Sequence, residues 1–80
     1  MEITAQLEKV FADVLKVPQE KVTDQTAPEN TPEWDSLKAM ELVFALEGAF
    51  SVRLSTKEIV SMRSVGIART VLRSKGVQNI

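Results

Sequence analysis

Covalent chemistry has few places to reside in this chain. Its 80 residues include no cysteine, histidine or tyrosine. That removes disulfides, thiolate metal ligands, the commonest general base and most nucleophile–base pairs. What remains is the stretch Glu33-Trp34-Asp35-Ser36-Leu37, continued without a breaker by Lys38-Ala39-Met40-Glu41-Leu42-Val43-Phe44-Ala45-Leu46-Glu47. Asp35 suits an N-cap, because its carboxylate can accept from a backbone N–H of the first turn. Ser36 then stands at the start of the helix, with its hydroxyl near the orphan N–H groups and the positive end of the helix dipole. A phosphate attached to that hydroxyl is electrostatically favoured. The plain alternative is a serine that only helps to begin a helix, as Asp-Ser pairs often do.

The helix that follows carries apolar groups on two opposed sides. At about 100° per residue, Ala39, Leu42, Val43, Leu46 and Phe50 share one arc, the expected core face. Leu37, Met40 and Phe44 fall opposite, beside Glu41 and Gly48, with Glu47 on the flank. Two such stripes are more apolar surface than a small core can use, and apolar groups rimmed by carboxylates are a usual mark of a partner surface. Burial on both sides and a homodimer contact are the competing readings. Glu41 argues against full burial, since an unpaired buried carboxylate is costly.

Asp35-Ser36-Leu37 followed by Glu41-Leu42-Val43, Ala45-Leu46-Glu47 and Phe50 resembles the acyl carrier protein family. The likeness runs from about Leu7 to Leu72. It implies a stand-alone, all-α carrier: a small bundle of three longer helices and one short helix. It also implies that Ser36 bears a covalent 4′-phosphopantetheine arm whose thiol holds acyl groups as thioesters. Asp35 and Leu37 would flank the attachment point, and Asp35 would help to orient the serine or a metal ion bound by the transferase. Leu37, Met40 and Phe44 would give partner enzymes an apolar grip, while Glu41 and Glu47 would steer basic patches. The implied partners are a phosphopantetheinyl transferase, because Ser36 is not activated by a neighbour, and the acyl-loading, condensing or modifying enzymes of fatty-acid, polyketide or other acyl synthesis. Departures from the usual fatty-acid carrier make the surface less acidic: Lys38 where an acid is frequent, Gly48 and Ala49 where further acids are common, then Arg53 and Lys57. These favour a specialised pathway. Aminoacyl and peptidyl carriers share the fold but often place two glycines before the modified position, which Glu33-Trp34-Asp35-Ser36 lacks. The reading from another class is an unmodified helical interaction module whose second stripe is a plain docking face.

The elements that must position Ser36 follow from periodicity and punctuation. Residues 3–16 make an amphipathic helix, with Ile3, Leu7, Val10, Phe11, Val14 and Leu15 on one arc and Lys9, Asp13 and Lys16 opposite. Val17-Pro18 ends it. Residues 17–34 hold all three prolines and form a loop. Gln19-Glu20-Lys21 can make a helical turn there, and Val22 and Trp34 can pin the loop to the core, an indole burying a large area. After the central helix, Ser55-Thr56-Lys57-Glu58 is a capping box opening a short helix that stops near Met62. Ser64 caps a last helix, with Val65, Ile67, Ala68, Val71 and Leu72 inward and Gly66, Arg69, Thr70 and Arg73 outside. Lys75-Gly76 ends it, and residues 76–80 are expected to fray.

Composition bounds the function. Eighty residues with 44% hydrophobic and 26% charged content fit one soluble globular domain, spanning residues 1–80. No run of about 18 apolar residues offers a membrane span, and Met1-Glu2-Ile3-Thr4 does not begin a secretory signal. A cytoplasmic, monomeric protein that is not an enzyme and binds no metal is expected. Residues 17–50 carry seven acids against Lys21 and Lys38, whereas residues 51–80 carry six bases against Glu58. The basic half has no aromatics for stacking bases, so nucleic acid is not an expected partner.

Overall fold

The computed structural model describes residues 6–78 and Ile80. Those residues form four helices and no strand: α1 (Gln6–Leu15), α2 (Ser36–Phe50), α3 (Thr56–Ser61) and α4 (Val65–Ser74). A 3₁₀ turn, Gln19–Lys21, interrupts the loop between α1 and α2. This is the all-α arrangement of three longer helices and one short one. Ile3, expected on the α1 stripe, lies outside the described residues.

The core grows from the predicted stripes. Leu7, Phe11, Ala12 and Leu15 of α1 are buried, as are Leu42, Val43 and Leu46 of α2 and Val65, Ala68 and Leu72 of α4. Helix α1 packs against both α2 and α4. On α2, Ala39 and Phe50 are half-buried at the margin of the same core. Ile67 departs from expectation: it is 41% exposed. Its position is 100° from that of Ala68 and about 160° from that of Val65 on a 3.6-residue helix, so a helix with neighbours on one side turns it out.

The helix ends follow the capping chemistry. Ser55 Oγ accepts from the Glu58 N–H at 3.1 Å, and Glu58 Oε1 accepts from the Ser55 N–H at 2.8 Å, a complete capping box. Ser64 Oγ accepts from the Ile67 N–H at 3.1 Å. Helix α2 ends at Ser51, which takes a left-handed conformation (φ 55°) and donates its N–H to the Glu47 carbonyl. Glycine is the usual residue there, so this turn is held against a local conformational cost.

The long loop owes its order to polar contacts that periodicity does not reveal. Val22, Trp34, Thr26 and Ala27 are buried. Thr26 Oγ1 accepts from the Thr23 N–H at 2.9 Å, and the Asn30 amide spans the loop, donating to the Gln25 carbonyl at 2.8 Å and accepting from the Ala27 N–H at 3.0 Å. The start of α4 docks on the loop through Val65 N–H to the Thr26 carbonyl and Gly66 N–H to the Asp24 carbonyl, both at 3.0 Å. A Cβ on Gly66 would come within 3.1 Å of that Asp24 carbonyl oxygen, which explains the small residue. Arg69, expected outside the core arc, is largely buried and joins Glu8 of α1 to Asp24 of the loop, the latter at 2.9 Å. Burial opposes its charge, but the hydrogen bonds to Glu8 and Asp24 prevail and hold its pKa above the ordinary value.

Past Gly76, Val77 and Ile80 make contacts with the helices. Val77 donates its N–H to the Leu72 carbonyl and packs against the core, and Ile80 is only 5% exposed. The Arg73 guanidinium donates to the Ile80 carbonyl, with Nε at 3.1 Å.

The capping box gives α3 a pH response. The Ser55 N–H and then the Lys75 ammonium hold the Glu58 carboxyl below its ordinary value of 4.5. A group depressed on folding contributes stability above its unfolded pKa and loses it as pH falls through the folded one. In an NMR titration, the Ser55 and Glu58 amides should therefore move with a midpoint below 4.5. In Glu58→Gln this titration should vanish. A midpoint at or above the ordinary value would contradict the pairing.

Candidate functional site

The start of α2 is built from three consecutive side chains. Trp34, only 6% exposed, stacks obliquely on Phe11 of α1 with ring centroids 5.5 Å apart. Asp35 follows in extended conformation, and its Oδ1 accepts from the Lys38 N–H at 2.9 Å, as its N-cap chemistry requires. The Asp35 carbonyl accepts from the Ala39 N–H at 2.9 Å, the first turn of the helix proper. Ser36 is therefore the first helical residue, and it is exposed. Among the described residues, nothing accepts from the Ser36 or Leu37 N–H, so both donors and the dipole lie beside the Ser36 hydroxyl. No histidine exists to activate that hydroxyl, and no lysine bonds to it.

A cleft of about 400 Å³ opens beside Ser36. Phe11 and Trp34 line one part, Ala39, Met40, Leu42, Val43 and Phe44 the α2 wall, and Ile59 and Met62 the α3 side. Ser36 is the single polar residue among these ten. A group joined to the hydroxyl through a phosphate would find N–H donors at its root and an apolar recess within reach. The residues present therefore fit 4′-phosphopantetheine with an acyl cargo. Among the described residues no cluster of acidic side chains is placed to hold a metal ion. Trp34 packs on the core and also forms the cleft wall next to Ser36.

The second stripe lies open. Leu37 is 65% exposed, Met40 58% and Phe44 65%. On α3, Val60 is 69% exposed as well. Gly48 continues the stripe by one turn, and a Cβ there would meet nothing within 4 Å. Both flanking acids have partners within the chain. Glu41 pairs with Lys38 at 3.2 Å, across one turn. Glu47 is half-buried, and its Oε2 accepts from the Leu54 N–H at 2.9 Å, folding the α2–α3 loop back against the helix. Sequence reasoning missed that brace, which joins residues seven positions apart across a loop.

The comparisons with known proteins agree with this geometry. Residues 5–66 match the family model described as "Phosphopantetheine attachment site". An acyl carrier protein of Saccharopolyspora erythraea is 32% identical over 65 residues, covering 81% of this chain and 68% of that one. "Polyketide-8 synthase acyl carrier protein 2" of Streptomyces avermitilis is 36% identical over 70 residues, covering 88% of this chain and 80% of that one.

The two faces of α2 can be separated by stability. Leu46, fully buried, should cost about 2–5 kcal/mol when cut to alanine. Phe44→Gln should leave the urea midpoint nearly unchanged, because no core cavity forms. A Phe44 variant that unfolds as readily as Leu46→Ala would make the stripe structural. Asp35→Ala should cost roughly 0.5–2 kcal/mol through loss of the cap, measured in the same urea series.

Proposed function

The chain belongs to the acyl carrier protein family, and from that premise we propose that Ser36 is the residue that bears its prosthetic arm. Its role is that of a phosphopantetheine acyl carrier: acyl groups travel as thioesters on a covalently attached 4′-phosphopantetheine. The thiol of that group supplies the acyl chemistry when attached. Members of the family are carriers rather than catalysts, and they work with synthase enzymes.

The observation that carries the Ser36 assignment is the coincidence of three features at one atom. The hydroxyl is exposed, it stands at a capped helix start with two unclaimed N–H donors, and it opens onto the apolar cleft. Asp35 orients the serine by fixing where the helix begins. Leu37, Met40 and Phe44 form the surface that partners grip. An exposed strip of this size suits brief and reversible contact, because one carrier visits several enzymes in turn. The chain acts as a monomer in this reading. No helix among the described residues is long and apolar enough to cross a membrane, and the proposed location is the cytoplasm.

Two features favour a specialised acyl pathway of the polyketide kind over general fatty-acid synthesis. The likeness to the Streptomyces avermitilis protein, named for a polyketide synthase, is one. The other is the modest acidity of α2, where Lys38 pairs Glu41, and Gly48 and Ala49 carry no charge.

Incubation with coenzyme A and a broad-specificity phosphopantetheinyl transferase should add one phosphopantetheinyl group, read by intact mass. Ser36→Ala should abolish the addition. Mass gain in the alanine variant, or none in the wild type with several transferases, would refute the assignment.

A further inference from the structure

Sulfur is scarce in this chain, and the described part of it gathers at the functional end. There is no cysteine, and the methionines are Met1, Met40 and Met62. Met1 lies outside the described residues. Met40 and Met62 both line the apolar cleft beside Ser36, one from α2 and the other from the end of α3. Their surroundings differ. Met40 is 58% exposed and is not part of the core, whereas Met62 is half-buried and packs against the core.

Met40 also holds the middle of the exposed stripe. It follows Leu37 by three residues and precedes Phe44 by four, the spacings that set side chains on one helix face. Both of those neighbours are 65% exposed. The Met40 thioether is thus open to small solutes and central to whatever a partner would cover.

We propose that Met40 is an oxidation site, with a hydroperoxide as oxidant, that turns the docking stripe off while the fold stays intact. The inference rests on the reading of the α2 stripe as the surface that partners grip. A lone pair of the Met40 sulfur attacks one peroxide oxygen, so that an S–O bond forms as the O–O bond breaks. Sulfur gives up two electrons. The departing oxygen takes the proton from the transferred one and leaves as water or an alcohol. The product is methionine sulfoxide, which replaces a flexible apolar side chain with a polar one. An apolar partner seated on the stripe would bury the new oxygen without a donor, and that is costly. In the free protein the same oxygen stays hydrated, and no core contact is lost. Epimer-specific methionine sulfoxide reductases reverse the change. Before the arm is attached, the chain has no thiol to intercept the peroxide.

The test treats the unmodified chain with dilute hydrogen peroxide and follows each methionine by peptide mass mapping. Met40 should gain its oxygen before Met62. For the chain oxidised at Met40, kcat/KM with the phosphopantetheinyl transferase should fall at least about fivefold, because docking must desolvate the sulfoxide. Circular dichroism should not change, and the reductases should restore the rate. Met40→Leu, whatever its own starting rate, should lose nothing further on peroxide treatment, whereas Met62→Leu should still show the loss. Oxidation of Met62 ahead of Met40, unfolding on oxidation, or an equal loss in treated Met40→Leu would overturn the inference. So would an unchanged rate in the Met40 sulfoxide while Phe44→Gln slows the transferase, an outcome that leaves the docking surface standing. If neither change alters the rate, the docking surface falls too. A wild-type chain that no transferase modifies would refute the assignment of Ser36, and this inference with it.

Discussion

The contact between Phe11 and Trp34 decides where everything else at the functional end can be. Twenty residues separate α1 from α2, and a chain of that length could place the start of α2 in many positions. Burying the indole on α1 removes that freedom one residue before the N-cap. Asp35 then converts a fixed point into a fixed direction, because its side chain and its carbonyl both accept from the first turn. Ser36 inherits its exposure and its donors from these two neighbours. An aromatic anchor followed at once by a cap is an economical way to set an exposed hydroxyl at the edge of a core.

Helix α2 reconciles two demands. Leu42, Val43 and Leu46 supply the core with the volume that joins α1 to α2, while Leu37, Met40 and Phe44 stay in solvent. Keeping apolar groups exposed costs solubility and invites association. The polar flanks limit that cost: Lys38 with Glu41 on one side, and the loop braced by Glu47 on the other. Lys38 also offsets the charge of Glu41, while Glu47 keeps its own.

Local chemistry made much of this legible in advance. Caps at Asp35, Ser55 and Ser64 are read from residues within one turn, and all three form. The opposed stripes of α2 follow from periodicity because a helix cannot choose which residues share an arc. What stayed hidden depends on pairs far apart in the chain. Arg69 reaches Glu8 and Asp24 across 61 and 45 positions, and no spacing rule predicts that a residue outside the hydrophobic arc will be buried by its counter-ions. Ile80 is the same kind of case: its burial depends on Arg73 and a surface that only the assembled helices create. Within the loop, the Asn30 and Thr26 bonds substitute for the missing repeat of a helix. Such side-chain bonds follow from composition only once the backbone path is known.

Trp34 is the single tryptophan, and the chain contains no tyrosine. Its ultraviolet emission therefore comes from one indole, wedged between Phe11 and the cleft beside Ser36. Emission wavelength and quenching thus describe the neck of the cleft, undiluted by tyrosine or a second indole. A chain entering the recess would dry the indole's open edge, while a swing of the long loop would wet it, and the two shift the colour in opposite senses. The protein carries its own optical gauge of whether that neck is filled or vacant.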